Sequence, residues 1–131
     1  MLYYEFHNHH EHNHHKYHYR EHHHHEVSPL RGLLHIVILK VISESPLHGG
    51  EIQRRINERF GLDVPKAMIY GILRRLEHHN LVTSKWVIEE GGPAKRVYYI
   101  TDDGLEYLNK AIEKLEKVRS IIDKLLSKPK Q

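Results

Sequence analysis

Apolar residues recur at helical spacing in four segments of the chain. The first segment follows Ser28 and Pro29, which suit the cap and the first turn of a helix, and we expect this helix to end near Glu44. Its apolar residues lie on nearly every side: Leu30, Leu33, Leu34, Ile36, Val37, Ile38, Leu39, Val41 and Ile42. A helix without a polar face belongs in the centre of a small domain or against a partner chain.

Two shorter amphipathic helices are predicted next. The second follows Gly49 and Gly50 and ends at Gly61, a residue suited to a left-handed C-terminal cap. Its inward-facing residues are predicted to be Ile52, Ile56 and Phe60. The third helix begins at Pro65, and Asn80 can take the positive φ that closes it. Its apolar stripe consists of Ile69, Ile72, Leu73 and Leu76, and its opposite side carries Lys66, Ala67, Tyr70, Gly71, Arg74 and His78.

The pattern then becomes that of a β-hairpin. Residues 81–88 and 96–101 are rich in strand-forming residues, and residues 89–94 between them contain two glycines and a proline. Two strands alone are unstable in water, so we expect the hairpin to pack on the helices.

A long helix is predicted after Thr101, which caps it, and should continue to about Ser127. At about 1.5 Å per residue it would be roughly 35 to 40 Å long, so much of its apolar stripe would be exposed unless a second chain covered it. We therefore expect a homodimer. The residues assigned to its dimerisation surface are Leu30, Leu34, Leu108, Ile112, Leu115, Val118, Ile122 and Leu125.

Length and composition narrow the class of protein. A chain of 131 residues suits one domain, and its apolar runs are too short for a bilayer crossing. No apolar signal peptide precedes the helices, and the chain has no cysteine for disulfides or thiolate sites. We expect a cytoplasmic protein that is not an enzyme, because no catalytic constellation can be assembled from these residues.

Histidine is concentrated at the N-terminus. Of 15 histidines, 11 lie between residues 7 and 25, in a stretch with little that could form a core, which predicts a disordered tail. The first 26 residues hold 2 basic and 4 acidic side chains, which leaves 18 basic and 13 acidic in the rest. A basic globular part is compatible with nucleic-acid binding and equally with ordinary solvated charge.

Three helices followed by a hairpin are the element order of a winged helix, whose third helix enters the major groove. Several short motifs are similar to those of a known family. They are His48-Gly49 with Glu51-Ile52, the run from Tyr70 to Glu77, Leu81-Val82 with Trp86, Gly92-Pro93, and the run from Tyr98 to Gly104. Together, across about residues 30–108, they resemble the PadR family of transcriptional regulators.

The resemblance implies a mainly α-helical fold with a β-hairpin wing: a winged helix-turn-helix followed by a C-terminal dimerisation helix. It implies a dimeric repressor with a His-rich tail at 1–26, a DNA-binding domain at 27–101 and a dimerisation segment at 102–131. Two residues depart from the family pattern. Gly50 stands where an aromatic residue is usual, which leaves a hole near the second helix, and Asn80 stands where glycine is usual.

The resemblance also assigns roles to individual residues. Operator DNA, the expected double-stranded partner, should be contacted by Lys66, Met68, Tyr70 and Arg74 of the third helix and by Lys95 and Arg96 of the wing. For Tyr70, packing of the helix is an equal alternative to DNA contact. Arg75 and Glu77 are expected to form a structural ion pair, and Trp86 is expected to pack in the core.

The tail offers many neutral imidazoles, which are good ligands for Ni, Zn, Co or Cu ions. The candidate ligands are His7, His9, His10, His12, His14, His15, His18, His22, His23, His24 and His25. The tail therefore has three interpretations: it binds a divalent metal effector, it is an affinity tag, or it is a native tail without a metal role. No cofactor is expected to be required. The alternative function is metal storage or delivery on a dimeric helical scaffold, and a site made of His35, His48, His78 and His79 is a weaker possibility.

Overall fold

The computed structural model describes residues 30–129 and contains four helices and three strands in that range. Along the chain they are α1 (Leu30–Glu44), β1 (Leu47–His48), α2 (Gly49–Phe60), α3 (Lys66–His78), β2 (Val82–Ile88), β3 (Ala94–Ile100) and α4 (Asp102–Leu126). This mostly helical fold with a small antiparallel sheet and a long last helix confirms the predicted winged-helix architecture. The predicted caps are present, since Gly61 has φ 67° and Asn80 has φ 63°.

The sheet has the order β1-β3-β2, and both pairings are antiparallel. The hairpin of β2 and β3 is the predicted wing, but β3 begins at Ala94, two residues before the predicted start. β1 was not predicted. It is two residues long and pairs Leu47 with Tyr98, a partner 51 positions away, so no local pattern indicates it.

The core forms around α1, whose residues Ile38, Leu39, Val41 and Ile42 are almost completely buried. α2, α3, α4 and β3 all contact this helix, which explains why it has no polar face. The other buried apolar residues of the cluster are Leu34, Leu47, Ile52, Ile56, Val64, Ile69, Ile72, Leu73, Leu76, Leu81, Val82, Tyr98 and Leu108. The prediction for Phe60 was wrong: it lies in the last turn of α2 and is 40% exposed, beside the guanidinium of Arg59.

The start of α4 is attached to the turn that follows α3. The Thr101 hydroxyl donates a hydrogen bond to the Asn80 carbonyl at 2.8 Å and accepts one from the Gly104 N–H at 2.9 Å. The Thr101 N–H donates to the Leu81 carbonyl at 3.1 Å. A Cβ at Gly104 would overlap the same Leu81 carbonyl oxygen and lie 2.7 Å from Cγ1 of Ile100. Only glycine therefore allows this close approach.

The apolar stripe of α4 changes from buried to exposed along the helix. Leu108 and Ala111 belong to the buried part of the chain, whereas Val118, Ile122 and Leu125 are 43%, 44% and 75% exposed. Leu34 and Leu108, two of the residues predicted for the dimerisation surface, are buried within the chain. None of the helices within residues 30–129 combines the length and the hydropathy of a membrane span.

The contact at Gly104 predicts a large effect of a small substitution. Gly104→Ala should lower the free energy of unfolding by about 1 to 3 kcal/mol, because the added methyl group forces the Leu81 backbone and α4 apart. Urea unfolding followed by circular dichroism measures this change. Gly92→Ala is the control, since its Cβ would meet nothing closer than 3.8 Å, and it should change stability by less than about 0.5 kcal/mol. Equal effects of the two substitutions would contradict the prediction.

Candidate nucleic-acid interface

Helix α3 buries one face and leaves the other open. Ile69, Leu73 and Leu76 are fully buried against the core, and this fixes the rotation of the helix about its axis. Lys66, Met68, Tyr70 and Arg74 are all exposed, with Met68 and Tyr70 at 42% and 38%. Lys66, Tyr70 and Arg74 follow one another at intervals of four residues and share one side of the helix, whereas Met68, two residues after Lys66, lies on a different side.

Tyr70 has a packing role at the junction of α2 and α3. A Cβ at Gly49 would lie 2.6 Å from Cε1 of Tyr70 and would overlap its hydroxyl oxygen. The Tyr70 ring therefore lies directly on the first turn of α2 and fixes the spacing of the two helices. The same turn is capped by His48, whose Nδ1 accepts from the Glu51 N–H at 3.3 Å, while the His48 N–H donates to Glu51 at 3.2 Å.

The wing extends beyond the helices at the side of α3. Its strands are joined through residues 89–93, and Lys85, Lys95 and Arg96 are exposed. Lys85 lies 5.3 Å from the ring centroid of Tyr99. Lys85, Lys95 and Arg96 thus place positive charge on both faces of the wing.

An open cleft of about 520 Å³ separates the wing from the starts of α2 and α3. It is lined by His48, Gly49, Gly50, Lys66, Tyr70, Trp86, Ala94, Lys95, Arg96 and Tyr98. Gly50, whose lack of a side chain was predicted to leave a hole, is one of these lining residues. Of the six residues predicted to contact DNA, the cleft brings together Lys66, Tyr70, Lys95 and Arg96, whereas Met68 and Arg74 lie outside its lining.

Arg96 is held by neighbouring side chains. Its Nε donates to the Ser84 hydroxyl at 2.9 Å, and its Nη2 donates to Oε1 of Glu77 at 3.3 Å. The Ser84 hydroxyl donates in turn to Oε2 of Glu77 at 2.8 Å. The Arg96 guanidinium carbon lies 6.0 Å from the ring centroid of Trp86 and 5.8 Å from that of Tyr98. Glu77 thus pairs with Arg96, and the predicted pair with Arg75 stays a prediction.

Trp86 does not pack in the core as predicted. It is 67% exposed, and Ile88, two residues further along the same strand, is 75% exposed. The alternation of β2 that buries Val82 also directs Trp86 to the inner face of the wing, but no helix of residues 30–129 covers it there. The prediction was wrong because the wing extends past the helices against which its base packs.

Tyr98 marks the place where the wing enters the core. It is 5% exposed, and burial raises the pKa of its hydroxyl above the ordinary value of 10.0, while the positive charge of Arg96 opposes the rise. Tyr98 is therefore uncharged at neutral pH, and its side chain closes the base of the cleft without adding a charge.

Two features of this surface were absent from the sequence-based predictions. Ser84 and Glu77 bind Arg96 across separations of 12 and 19 residues, for which the sequence carries no spacing signal. The contact of Gly49 with Tyr70 also joins residues far apart in the sequence. The two glycines after His48 were the one local signal that another group approaches the backbone there.

The predicted metal ligands between His7 and His25 lie outside the described residues. Within residues 30–129, no three His, Cys, Asp or Glu side chains are grouped to hold a metal ion. His35 is buried, His48 caps α2, and the rings of His78 and His79 meet edge to face with centroids 5.4 Å apart.

Solved structures show the same fold. A candidate transcriptional regulator from Thermoplasma acidophilum is 36% identical and aligns with a TM-score of 0.69 over 77% of this chain and 97% of its own. A PadR-like transcriptional regulator from Bacillus cereus is 29% identical, with a TM-score of 0.69 over 76% of this chain and 97% of its own. Bacillus subtilis PadR, solved with operator DNA, is 24% identical, with a TM-score of 0.57 over 61% of this chain and 46% of its own.

A comparison with curated proteins finds no match. The model of the transcriptional regulator PadR-like family matches residues 38–110, which include α2, α3, the wing and the start of α4. This match covers more than half of the chain and agrees with the motifs noted in the sequence. The chain therefore belongs to the PadR-like family of transcriptional regulators.

Proposed function

We propose that this protein is a homodimeric repressor that binds operator DNA through α3 and the wing. The observation that carries the proposal is the exposed face of α3, which lies beside a basic wing on a shared cleft. Residues 27–101 form the DNA-binding unit in this proposal, residues 102–131 the pairing unit, and residues 1–26 a metal-responsive segment. Such a regulator acts in the compartment of the DNA, which we take to be the cytoplasm.

In a winged helix, the third helix enters the major groove and the wing follows the backbone or the minor groove. The exposed positions of Lys66, Met68 and Arg74 suit contacts in the groove, and Lys95 suits a phosphate. Tyr70 combines its packing on Gly49 with a surface-exposed edge. The complex of Bacillus subtilis PadR with operator DNA supports DNA as the partner, since the two chains share a fold.

Lys66→Ala and Arg74→Ala test the DNA surface. Each should weaken binding to a duplex from upstream of the chain's own coding region by about 5- to 100-fold, because contacts to bases and phosphates are lost. Fluorescence-anisotropy titration at several salt concentrations measures both the affinity and its salt dependence.

Lys117→Ala is the matched control, because Lys117 is equally exposed but lies on α4, on the side away from the apolar stripe. It removes the same charge and should change affinity by less than about 2-fold. If Lys117→Ala weakens binding as strongly as Lys66→Ala, α3 is not the DNA surface.

The exposed half of α4 supports pairing with a second copy. Leu115 is half-buried, and Val118, Ile122 and Leu125 continue its stripe in the open, with Ile121 and Leu126 beside them. Apolar residues spaced in this way suit a helix–helix contact, and water is a poor environment for them. Two copies joined through α4 would present two α3 helices to successive turns of DNA.

Ile122→Glu tests this pairing. A charge in the middle of the apolar contact should turn the dimer into a monomer at micromolar concentration and weaken operator binding by at least about 10-fold, because the second half-site is lost. Sedimentation equilibrium measures the mass. Lys117→Glu, on the opposite side of the same helix, should remain dimeric. A wild-type chain that is monomeric would overturn the proposal.

We include metal control of DNA binding in the proposal. It rests on the 11 histidines between residues 7 and 25, whose imidazoles suit Ni(II), Zn(II), Co(II) or Cu(II). The segment precedes α1, the central helix of the core, so chelation near α1 is positioned to change the pairing of the protomers. We expect metal to release the operator.

Deletion of residues 1–26 tests the metal response. The full chain should bind Ni(II) or Zn(II) in calorimetric titration and lose operator affinity, whereas the deleted chain should bind operator equally well with and without metal. EDTA should restore binding by the full chain. An unchanged affinity of the full chain excludes metal control, and metal binding without sequence-specific DNA retention would indicate storage or delivery instead.

A further inference from the structure

We infer that Arg96 is a positioning residue that locks the wing to the recognition helix α3, and that it does not serve as a contact to DNA phosphates. The inference rests on the proposed DNA-binding function. It explains how α3 and the wing keep a fixed relative position. It departs from the role predicted for Arg96 from the sequence.

The lock is a closed triangle of hydrogen bonds that joins the two strands of the wing to α3. Arg96 on β3 donates to both Ser84 on β2 and Glu77 on α3, and Ser84 donates to the second oxygen of the same carboxylate. Both oxygens of Glu77 are thereby used, and the guanidinium is held in one orientation. An exposed ion pair alone stabilises a protein little, but a network with fixed geometry restrains the groups that form it.

Aromatic rings hold Arg96 from the side of the sheet. Trp86 is its cross-strand partner, and Tyr98 lies two residues along the same strand. Their ring centroids lie 6.0 Å and 5.8 Å from the guanidinium carbon, within reach of a cation–π interaction. Strand alternation places these rings with Ser84 on the wing face that is directed towards α3. Arg96 therefore contacts side chains of both strands of the wing and of α3.

The position of Glu77 gives the lock its functional consequence. Glu77 belongs to the last turns of α3, whereas Lys66 and Tyr70 occupy the opposite end of the same helix and line the cleft. A wing fixed to the C-terminal part of α3 keeps Lys95 at a constant distance from the residues at its N-terminal part. The angle between wing and helix, and with it the fit to DNA, depends on Arg96.

Two substitutions distinguish a lock from a phosphate contact. Glu77→Gln removes a negative charge beside the surface, so it should strengthen DNA binding if Arg96 contacts phosphate and weaken binding about 3- to 10-fold if Arg96 is a lock. Arg96→Lys keeps the charge but loses the fork that bonds two partners, so it should resemble Glu77→Gln under the lock and the wild type under the other interpretation. The double variant should be no weaker than either single variant.

The probe for these titrations is the upstream duplex at several salt concentrations. The slope of log affinity against log salt should be unchanged in Arg96→Lys and Glu77→Gln, because no phosphate contact is lost. Glu113→Gln on α4 is the matched control for the lost charge and should bind like the wild type. Stronger binding by Glu77→Gln, or wild-type binding by Arg96→Lys, overturns the lock.

A second readout needs no DNA. Trp86 is the only tryptophan of the chain, so its fluorescence reports on the wing alone. In the free full-length protein its anisotropy should fall in both variants, while circular dichroism shows that they remain folded. Unchanged anisotropy in both variants overturns the lock even if they bind DNA weakly. If the wild type binds no duplex, the proposed function fails, and the fluorescence still decides the lock.

Discussion

Burial of the apolar helix α1 is the constraint on which the rest of the molecule depends. Its residues Ile38, Leu39 and Val41 are inaccessible to solvent, and α2, α3, β3 and the first turns of α4 all pack against it. A domain of this size has little other apolar area to bury. The rotation of α3 about its axis follows from this packing, because the side chains that reach the core decide which others face the solvent. The exposed surface of α3 is therefore a consequence of the core.

Most of the fold was predictable because its signals are local. The ends of the helices are marked by residues that act within one turn, as at Gly61, Asn80 and Thr101. The failures share a physical cause. β1 depends on pairing with Tyr98 across the chain, and Trp86 has the period of a buried strand residue in a part of the wing that no helix covers. Periodicity indicates which face a residue occupies, but not how far the neighbouring element extends.

The candidate surface was predictable in part. Exposure of Lys66, Tyr70 and Arg74 on one side of α3 follows from helical spacing, whereas the partners of Arg96 follow only from the way the wing packs on that helix. Family membership identifies the chain as a transcriptional regulator, which confirms the prediction that it is not an enzyme. It does not by itself identify which cations of the wing face DNA.

The attachment of α4 to the turn after α3 has a mechanical consequence. Thr101 and Gly104 fix the helix to the backbone at Asn80 and Leu81, while residues 116–126 of α4 are exposed in the described chain. The arrangement is that of a lever whose base is the buried first half of α4. At about 1.5 Å per residue, the part of α4 beyond Ile112 is roughly 21 Å long, so a tilt of about 5° displaces its tip by roughly 2 Å. A force applied at the tip in turn exerts a torque on the base of the helix, and this torque grows with the length of the arm.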